Sequence, residues 1–401
     1  MRSLFSGCLL LAAGLATAAP NVTDVSFAEN GDELVVNYTL DAAAIVVVDI
    51  QTNVADDVYA SIGGEHQWTL EGDVNKRVEA GARSFTWTPS SDMPDCDVQP
   101  AKLKVVFSTY AYGDAPDYMV VALSTAIVDR VTYYPNVESL PGGLLSNGAY
   151  RASKLVMRHI HAKGVEWTMG TVGEGSRGAN EVVHKVTLTN DYWIGVFEMT
   201  FAQTYRYGVG TTLSVKPAKN VNYNNVRGHV DTYDWPIQPA ESSCIGKIRA
   251  ATGLPFDFPS EAQWEFACRA GHGEGFWNDG SLIGSIDLAE LACYGKPWSA
   301  TDCGVMVGSF RPNSWGLYDM HGNHSEYCVD WYQVDVSGAT HGEVAMSGEN
   351  KVVRGGNFQN GAADCRSGAR GSAPPGNNLH QHGFRLYSVY GFQDEGLVDA
   401  E

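Results

Sequence analysis

The chain has 401 residues, 44% apolar and 11% aromatic, and its 46 acidic and 27 basic side chains give a formal charge of -19. That length and composition exclude a disordered chain and fit two domains, or three. The acidic excess, with no basic stripe, excludes a nucleic-acid backbone or an anionic membrane surface as partner.

The first residues, MRSLFSGCLLLAAGLATAAPN, carry one positive charge at Arg2, an apolar run from Leu4 to Leu15 and the small-x-small triplet Ala16-Thr17-Ala18. This pattern predicts a secretory signal peptide over residues 1–18, cut after Ala18, and hence a secreted or periplasmic protein. The longest later apolar run, Ala42 to Ile50, falls far short of the ~20 residues a spanning helix needs, so no transmembrane segment is expected after cleavage. Seven cysteines remain, at 96, 244, 268, 293, 303, 328 and 365, and none forms a C-x-x-C pair. Export permits disulfides, and the odd number leaves at least one thiol over.

Residues 21–134 read as short β-rich runs (DELVVNYTL, AIVVVDI, HQWTLEG, SFTWTP, KLKVVFSTYAY, YMVVALS) separated by turn residues. Alternation without helical periodicity predicts a small antiparallel β-sandwich. Residues 135–154 have the Pro, Gly, Ser and Asn content of a linker. A larger α+β domain is expected over 155–390, followed by an acidic tail at 391–401. His159 and His161 alternate on a predicted strand and read as one solvated face. Thr200 with Gln203, and Ser260 with Gln263, fit the capping box that opens a helix. A third helix is predicted over Ser242 to Thr252, with Gly253 as its stop. From Cys293 onward the texture is loops and short strands, which need fastening by disulfides or bound cations.

Within GLYDMHGNHSEYCVDWY, the spacing of His321, His324 and Glu326 suggests metal ligands. The histidines stand at i and i+3 with Gly322-Asn323 between them, a turn signal rather than the i, i+4 helix face of a catalytic zinc site. A structural turn without metal is the alternative. His380-Gln-His382 is a second pair of alternating histidines, expected in an exposed loop.

Three stretches, FDFPSEAQWEFACRAG (256–271), the GLYDMHGNHSEYCVDWY segment, and VVRGGNFQNGAADCRSGAR followed by HGFRL (352–386), together resemble the formylglycine-generating enzyme, or sulfatase-modifying factor, family. WTMG, Glu181, His184 and YWIGVFEMTFAQ precede them in the family's order. The resemblance implies an irregular α+β domain of C-type-lectin-like fold with structural calcium. It implies calcium ligands at Asp319 and Glu326 through carboxylates and at Gly322 and His324 through backbone carbonyls, a donor set that suits a hard cation.

Oxidases of this family hold copper on two cysteines, and the matching positions here are Asn360 and Cys365. An amide oxygen cannot replace a thiolate on soft Cu(I), so no copper is expected. A serine after the Gly-Gly and a tryptophan before the motif's glutamate are replaced by Asn357 and Ser325. The resemblance therefore implies a binding module rather than an oxidase, similar to the ligand-displaying products of diversity-generating retroelements. Its ligand surface would comprise Phe358, Gln359, Asn360, Asn378, His380, Gln381 and His382, facing an extracellular or periplasmic ligand. The alternative is a formylglycine-generating or related metal-dependent oxidase with an altered site. Cys328 and Cys365, in the two motifs that frame the final section, are disulfide candidates, or else two buried thiols.

Overall fold

The computed structural model describes residues 19–389 apart from 56–57, 97, 112–113, 124–129, 172–179, 230–237, 273–287, 298–303 and 341–346. The expected signal peptide and acidic tail, and Cys303, lie outside the described residues.

The chain opens with strands β1 (Val22–Asn30), β2 (Glu33–Leu40), β3 (Ala44–Ala55), β4 (Val58–Ser61), β5 (Glu71–Gly72), β6 (Lys76–Val78), β7 (Gly81–Trp87) and β8 (Leu103–Tyr110), with the short helix α1 (Pro89–Asp92) between the last two. They form two antiparallel sheets, β1-β2-β7-β5 and β4-β3-β6 with β8 also on β3. Leu34, Val36, Tyr38 and Leu40 alternate inward along β2 and meet Val46, Val48, Ile50, Phe85 and Trp87 in one buried cluster, the alternation expected of a sheet with one solvated face. The unbroken apolar run of β3 has another cause. Its odd residues Ile45 and Val47 turn away from this cluster into the core of the following domain, so the strand is covered on both faces.

Two further strands, β9 (Tyr118–Ala122) and β10 (Val131–Tyr134), fall within the stretch read from sequence as sandwich, but they pair elsewhere. After helix α2 (Ala149–Ala152) come β11 (Lys154–Ile160), β12 (Glu166–Met169), β13 (His184–Thr187) and β14 (Tyr192–Gly195). The antiparallel sheet β10-β9-β11-β14 belongs to the larger domain. The sandwich therefore ends near Tyr110. The physical reason is burial: Tyr118 to Val121 are all buried, as a strand inside a covered sheet must be. The stretch 135–154 is likewise no linker, because Leu140, Leu144 and Tyr150 are buried in a core cluster with Val156, Val196 and Phe197.

The remaining helices are short: α3 (Phe201–Thr204), α4 (Tyr223–Arg227), α5 (Cys244–Thr252) and α6 (Glu261–Arg269). Both predicted capping boxes form, at Thr200–Gln203 and Ser260–Gln263. Helix α5 is capped by Ser243 and stopped by Gly253, whose φ of 72° is costly for any residue with a Cβ. Strands β15 (Ser325–Trp331), β16 (Lys351–Arg354), β17 (Arg370–Ala373) and β18 (His382–Gly383) make a second sheet in the order β17-β16-β15-β18, and β19 (Tyr387–Ser388) closes the first on β14. The domain is a mixed fold with many loops.

Of the fastenings expected from the sequence, the Cys328–Cys365 disulfide is not formed. Among the described residues no cysteine is bridged. Cys328 sits in the cluster of Trp264, Cys268 and Val352, whereas Cys365 packs with Leu288, Leu291 and Ala292, so the proposed pair occupies two separate apolar pockets. Buried ion pairs tie the loops together. Arg227 grips Asp257 with two bonds of 2.7 and 2.8 Å, Arg366 grips Glu181 with two of 2.7 Å, and Arg370 grips Glu261 at 2.6 and 2.7 Å. Glu265, fully buried, accepts from Arg269 at 2.8 Å and from Arg354. The guanidinium groups of Arg227, Arg366 and Arg370 each fork onto both oxygens of one carboxylate, so one contact fixes both position and orientation.

Candidate functional site

The HGNHSE segment is a turn leading into β15. Asp319, Gly322 and Asn323 take φ values of 57°, 79° and 59°, a left-handed run that a helix could not contain. A Cβ on Gly322 would stand 2.4 Å from the carbonyl oxygen of Cys293, so only glycine allows the turn to lie against that strand-like segment. Gly322 N donates to Gly355 O and Asn323 N to Cys293 O, both at 2.8 Å.

This turn closes over a cluster of buried charges. Glu198, from the loop after β14, accepts from His324 N at 3.0 Å and from Asn323 Nδ2 at 2.5 Å. Asp319 accepts from Gly308 N at 2.7 Å through Oδ2, while its Oδ1 is buried without a hydrogen-bond partner. Glu326 is held on both oxygens: Arg385 donates at 2.6 and 2.5 Å and Trp264 Nε1 at 2.7 Å. Arg385 also donates to the carbonyls of Gly195 and Tyr318, each at 2.9 Å. The expected cation ligand Glu326 is thus the counterion of Arg385.

Three carboxylates therefore share one guanidinium. Burial, then the charges of Asp319 and Glu326, push the carboxyl of Glu198 well above its usual range. Burial pushes Asp319 up to about 6. Burial opposes the charge on Arg385, but Glu326, Glu198 and Asp319 outweigh it and strengthen its hold on the proton. A buried anionic excess of this kind is relieved by protons or by a cation. The donors on offer are oxygens, which suits a hard ion. The two nearby imidazoles lie against backbone carbonyls rather than against the carboxylates. Burial pushes His321 and His324 down to about 4 and about 3, and their rings meet the carbonyls of Cys365 at 2.8 Å and His380 at 3.1 Å.

The expected ligand surface divides. Phe358 is fully buried beside Cys293, with Val305 and Phe310 against it, and His382 is buried against the edge of the Tyr327 ring. Both are corrections: an apolar ring and an imidazole at the base of these loops anchor them from inside. Gln359 and Asn378 are exposed, and Asn360, His380 and Gln381 half-buried. Phe358 and His380, with ring centroids 6.4 Å apart, bring the two loops together. Asn378 also accepts from Asn222 Nδ2 at 2.7 Å.

At the position matching the first copper cysteine, Asn360 turns its side-chain oxygen back to Asn357 N at 2.9 Å. Cys365 is fully buried, and burial, then Asp364 and Cys293, push its thiol up to about 12. The two other departures touch each other, Asn357 Nδ2 donating to Ser325 Oγ at 3.1 Å. Sequence reasoning missed Glu198, although a lone acid among Ile194, Val196, Phe197 and Met199 was a readable signal. Arg385, a lone cation between Phe384 and Leu386, was another.

Residues 151–388 match the sulfatase-modifying factor enzyme 1-like domain. Over 185 residues the chain is 27% identical to the formylglycine-generating enzyme of Bos taurus, covering 42% of this chain and 49% of that enzyme. It is 33% identical over 245 residues to the serine/threonine-protein kinase Pkn1 of Chlamydia trachomatis, covering 58% of this chain and 38% of the kinase. The structure of PvdO from Pseudomonas aeruginosa aligns with a TM-score of 0.48 at 25% identity, over 58% of this chain and 94% of that one. The chain spans about half the length, or less, of these two curated relatives. Its larger domain is of the sulfatase-modifying factor type, and the chain belongs to that family.

Proposed function

We propose that this is an exported binding protein whose C-type-lectin-like domain is stabilised by calcium and does not carry out copper-dependent oxidation. The observation that carries this reading is the pair of positions 360 and 365: the first is an amide bonded to its own loop, and the second a buried thiol that holds its proton. Loading Cu(I) requires two accessible thiolates. Ligand contact then falls to Gln359, Asn360, Asn378, His380 and Gln381, on loops whose bases are fixed by Phe358 and His382.

The test is incubation of the purified protein with Cu(I) and a peptide carrying a Cys-x-Pro-x-Arg motif, followed by mass measurement of the peptide. The mass is expected to stay unchanged; formylglycine in the product overturns the reading. One observation favours an altered-site oxidase as the second reading. Cys293 lies close enough for its charge to bear on Cys365, and Gly295 and Lys296 donate to the carbonyls of Asn360 and Phe358. Product that disappears in Cys293→Ser would establish that alternative.

For calcium, Asp319 would contribute its unpartnered Oδ1, with Glu198 nearby and the carbonyls of Gly322 and His324 completing an oxygen set; the ion would neutralise the buried carboxylates. Saturating calcium at 100 times its dissociation constant is worth about 2.7 kcal/mol. Thermal unfolding at neutral pH should shift upward with calcium and fall back with EDTA, and Asp319→Asn should abolish the shift. An EDTA-insensitive melting temperature removes the cation from the proposal.

A further inference from the structure

A second constellation lies on the first sheet and shares no residue with the Asp319 cluster. Strands β11 and β14 pair antiparallel, with His159 opposite Trp193 and Ile160 opposite Tyr192. Continuing that register by one pair sets His161 opposite Asp191. Side chains alternate between faces along a strand, so His159, His161, Trp193 and Asp191 all fall on one face. The sequence reading of a solvated histidine face is half right: His161 is 65% exposed, but His159 is only 7% exposed.

We propose that His159, His161 and Asp191 form a binding site for a divalent transition-metal ion of the zinc class. One ligand atom from each of the three lies within 4.8 Å of the other two, the only such grouping of His, Cys, Asp or Glu among the described residues. Independent support comes from His159 Nδ1, which is buried and has no hydrogen-bond partner. Leaving such an atom unsatisfied is costly, and coordination is one way to satisfy a buried imidazole nitrogen.

The ligands are held in advance. The His159 ring stacks on Trp193 at 4.7 Å and meets the His161 ring edge-on at 4.5 Å. Asp191 Oδ1 accepts from the backbone of Ala162 and of Lys163, both at 2.8 Å. This leaves Oδ2 for the ion. Two imidazoles and a carboxylate suit zinc and its neighbours rather than calcium. Three protein ligands leave a coordination position open, reached from solvent on the His161 side. Asp117 lies 3.9 Å from His161 Nε2 and is paired with Arg158 at 2.9 Å, which places a second carboxylate beside that ligand.

The test uses the full chain, stripped with chelator and kept in excess calcium chloride so that the Asp319 cluster is occupied by another ion. Cobalt(II) chloride is titrated while the visible absorption of a four-coordinate ion is followed, and zinc chloride is then used to displace it. One equivalent of cobalt is expected to bind. Affinity should fall on the order of 100-fold in His161→Ala, since even outer partners of metal ligands are worth 10–100-fold. Asp191→Asn keeps an oxygen for the Ala162 and Lys163 amides and should show a similar fall, so loss of binding is read in a chain that retains the turn. His66→Ala, outside the site, should bind as the unaltered chain does. Absence of binding by the unaltered chain overturns the proposal. So does equal binding by His161→Ala and Asp191→Asn, which would mark scattered adventitious histidine contacts.

Discussion

Replacing Arg385 by methionine is expected to destabilise the protein by about 3–5 kcal/mol, the cost of removing one partner from a buried ion pair. Arg385 and Glu326 are 0% and 1% exposed, so no water reaches the carboxylate left behind. The same change strips a donor from the carbonyls of Gly195 and Tyr318 and leaves Glu198, Asp319 and Glu326 without their shared cation. Replacing both partners, Arg385→Met with Glu326→Leu, should recover part of the loss, because two apolar groups of similar volume avoid the desolvation that an orphaned charge suffers. Urea unfolding of the two single variants and the double variant measures the coupling. A loss below about 1 kcal/mol in Arg385→Met, the range of an exposed pair, would show that this pair does not hold the turn.

Lys351 should respond in the opposite direction. It is 3% exposed, its ammonium lying 3.8 Å from the ring centre of Trp331 and 4.5 Å from that of Tyr223 and donating to Val329 O at 2.9 Å. Burial, then repulsion from Arg227, push its pKa down to about 7 from an ordinary 10.5. Below pH 7 both folded and unfolded chains carry this proton, and the folded one bears the full cost of the buried charge. Between 7 and 10.5 the unfolded chain keeps a proton that the folded chain has released, so stability rises with pH across that window. Each tenfold change in proton affinity corresponds to about 1.4 kcal/mol. Lys351→Met should therefore be more stable than the unaltered chain by about 1–3 kcal/mol at pH 6. The difference should shrink steadily toward pH 10; a difference that is constant from pH 6 to pH 10 would refute this assignment.

Legibility in the sequence followed the range of the forces involved. Capping boxes at Thr200 and Ser260 and the Gly253 stop depend on residues three or four apart, and they form as read. The family motifs were equally local. What escaped was whatever depends on distant partners: strands β9 and β10 look like sandwich strands until β11 and β14 are placed beside them. The Asp319 turn was readable from Gly322-Asn323, yet Glu198 and Arg385 reach it from segments more than fifty residues away on either side. The family resemblance implies a ligand surface that includes Phe358 and His382, whereas each side chain is buried in the interior. His159 was placed on the right strand and misjudged in burial.

Strand β3 and the sheet of β9, β10, β11 and β14 change the meaning of the family boundary. The recognisable stretch begins at residue 151, but the sheet it inherits is incomplete without Tyr118–Ala122 and Val131–Tyr134. Ile45 and Val47 of the preceding sandwich fill the same core as Met157 and Trp193. The stretch matched by the family and the stretch that builds this sheet and core are therefore different lengths of chain. The interior of the family domain is thus completed by side chains and strands that precede its recognisable boundary.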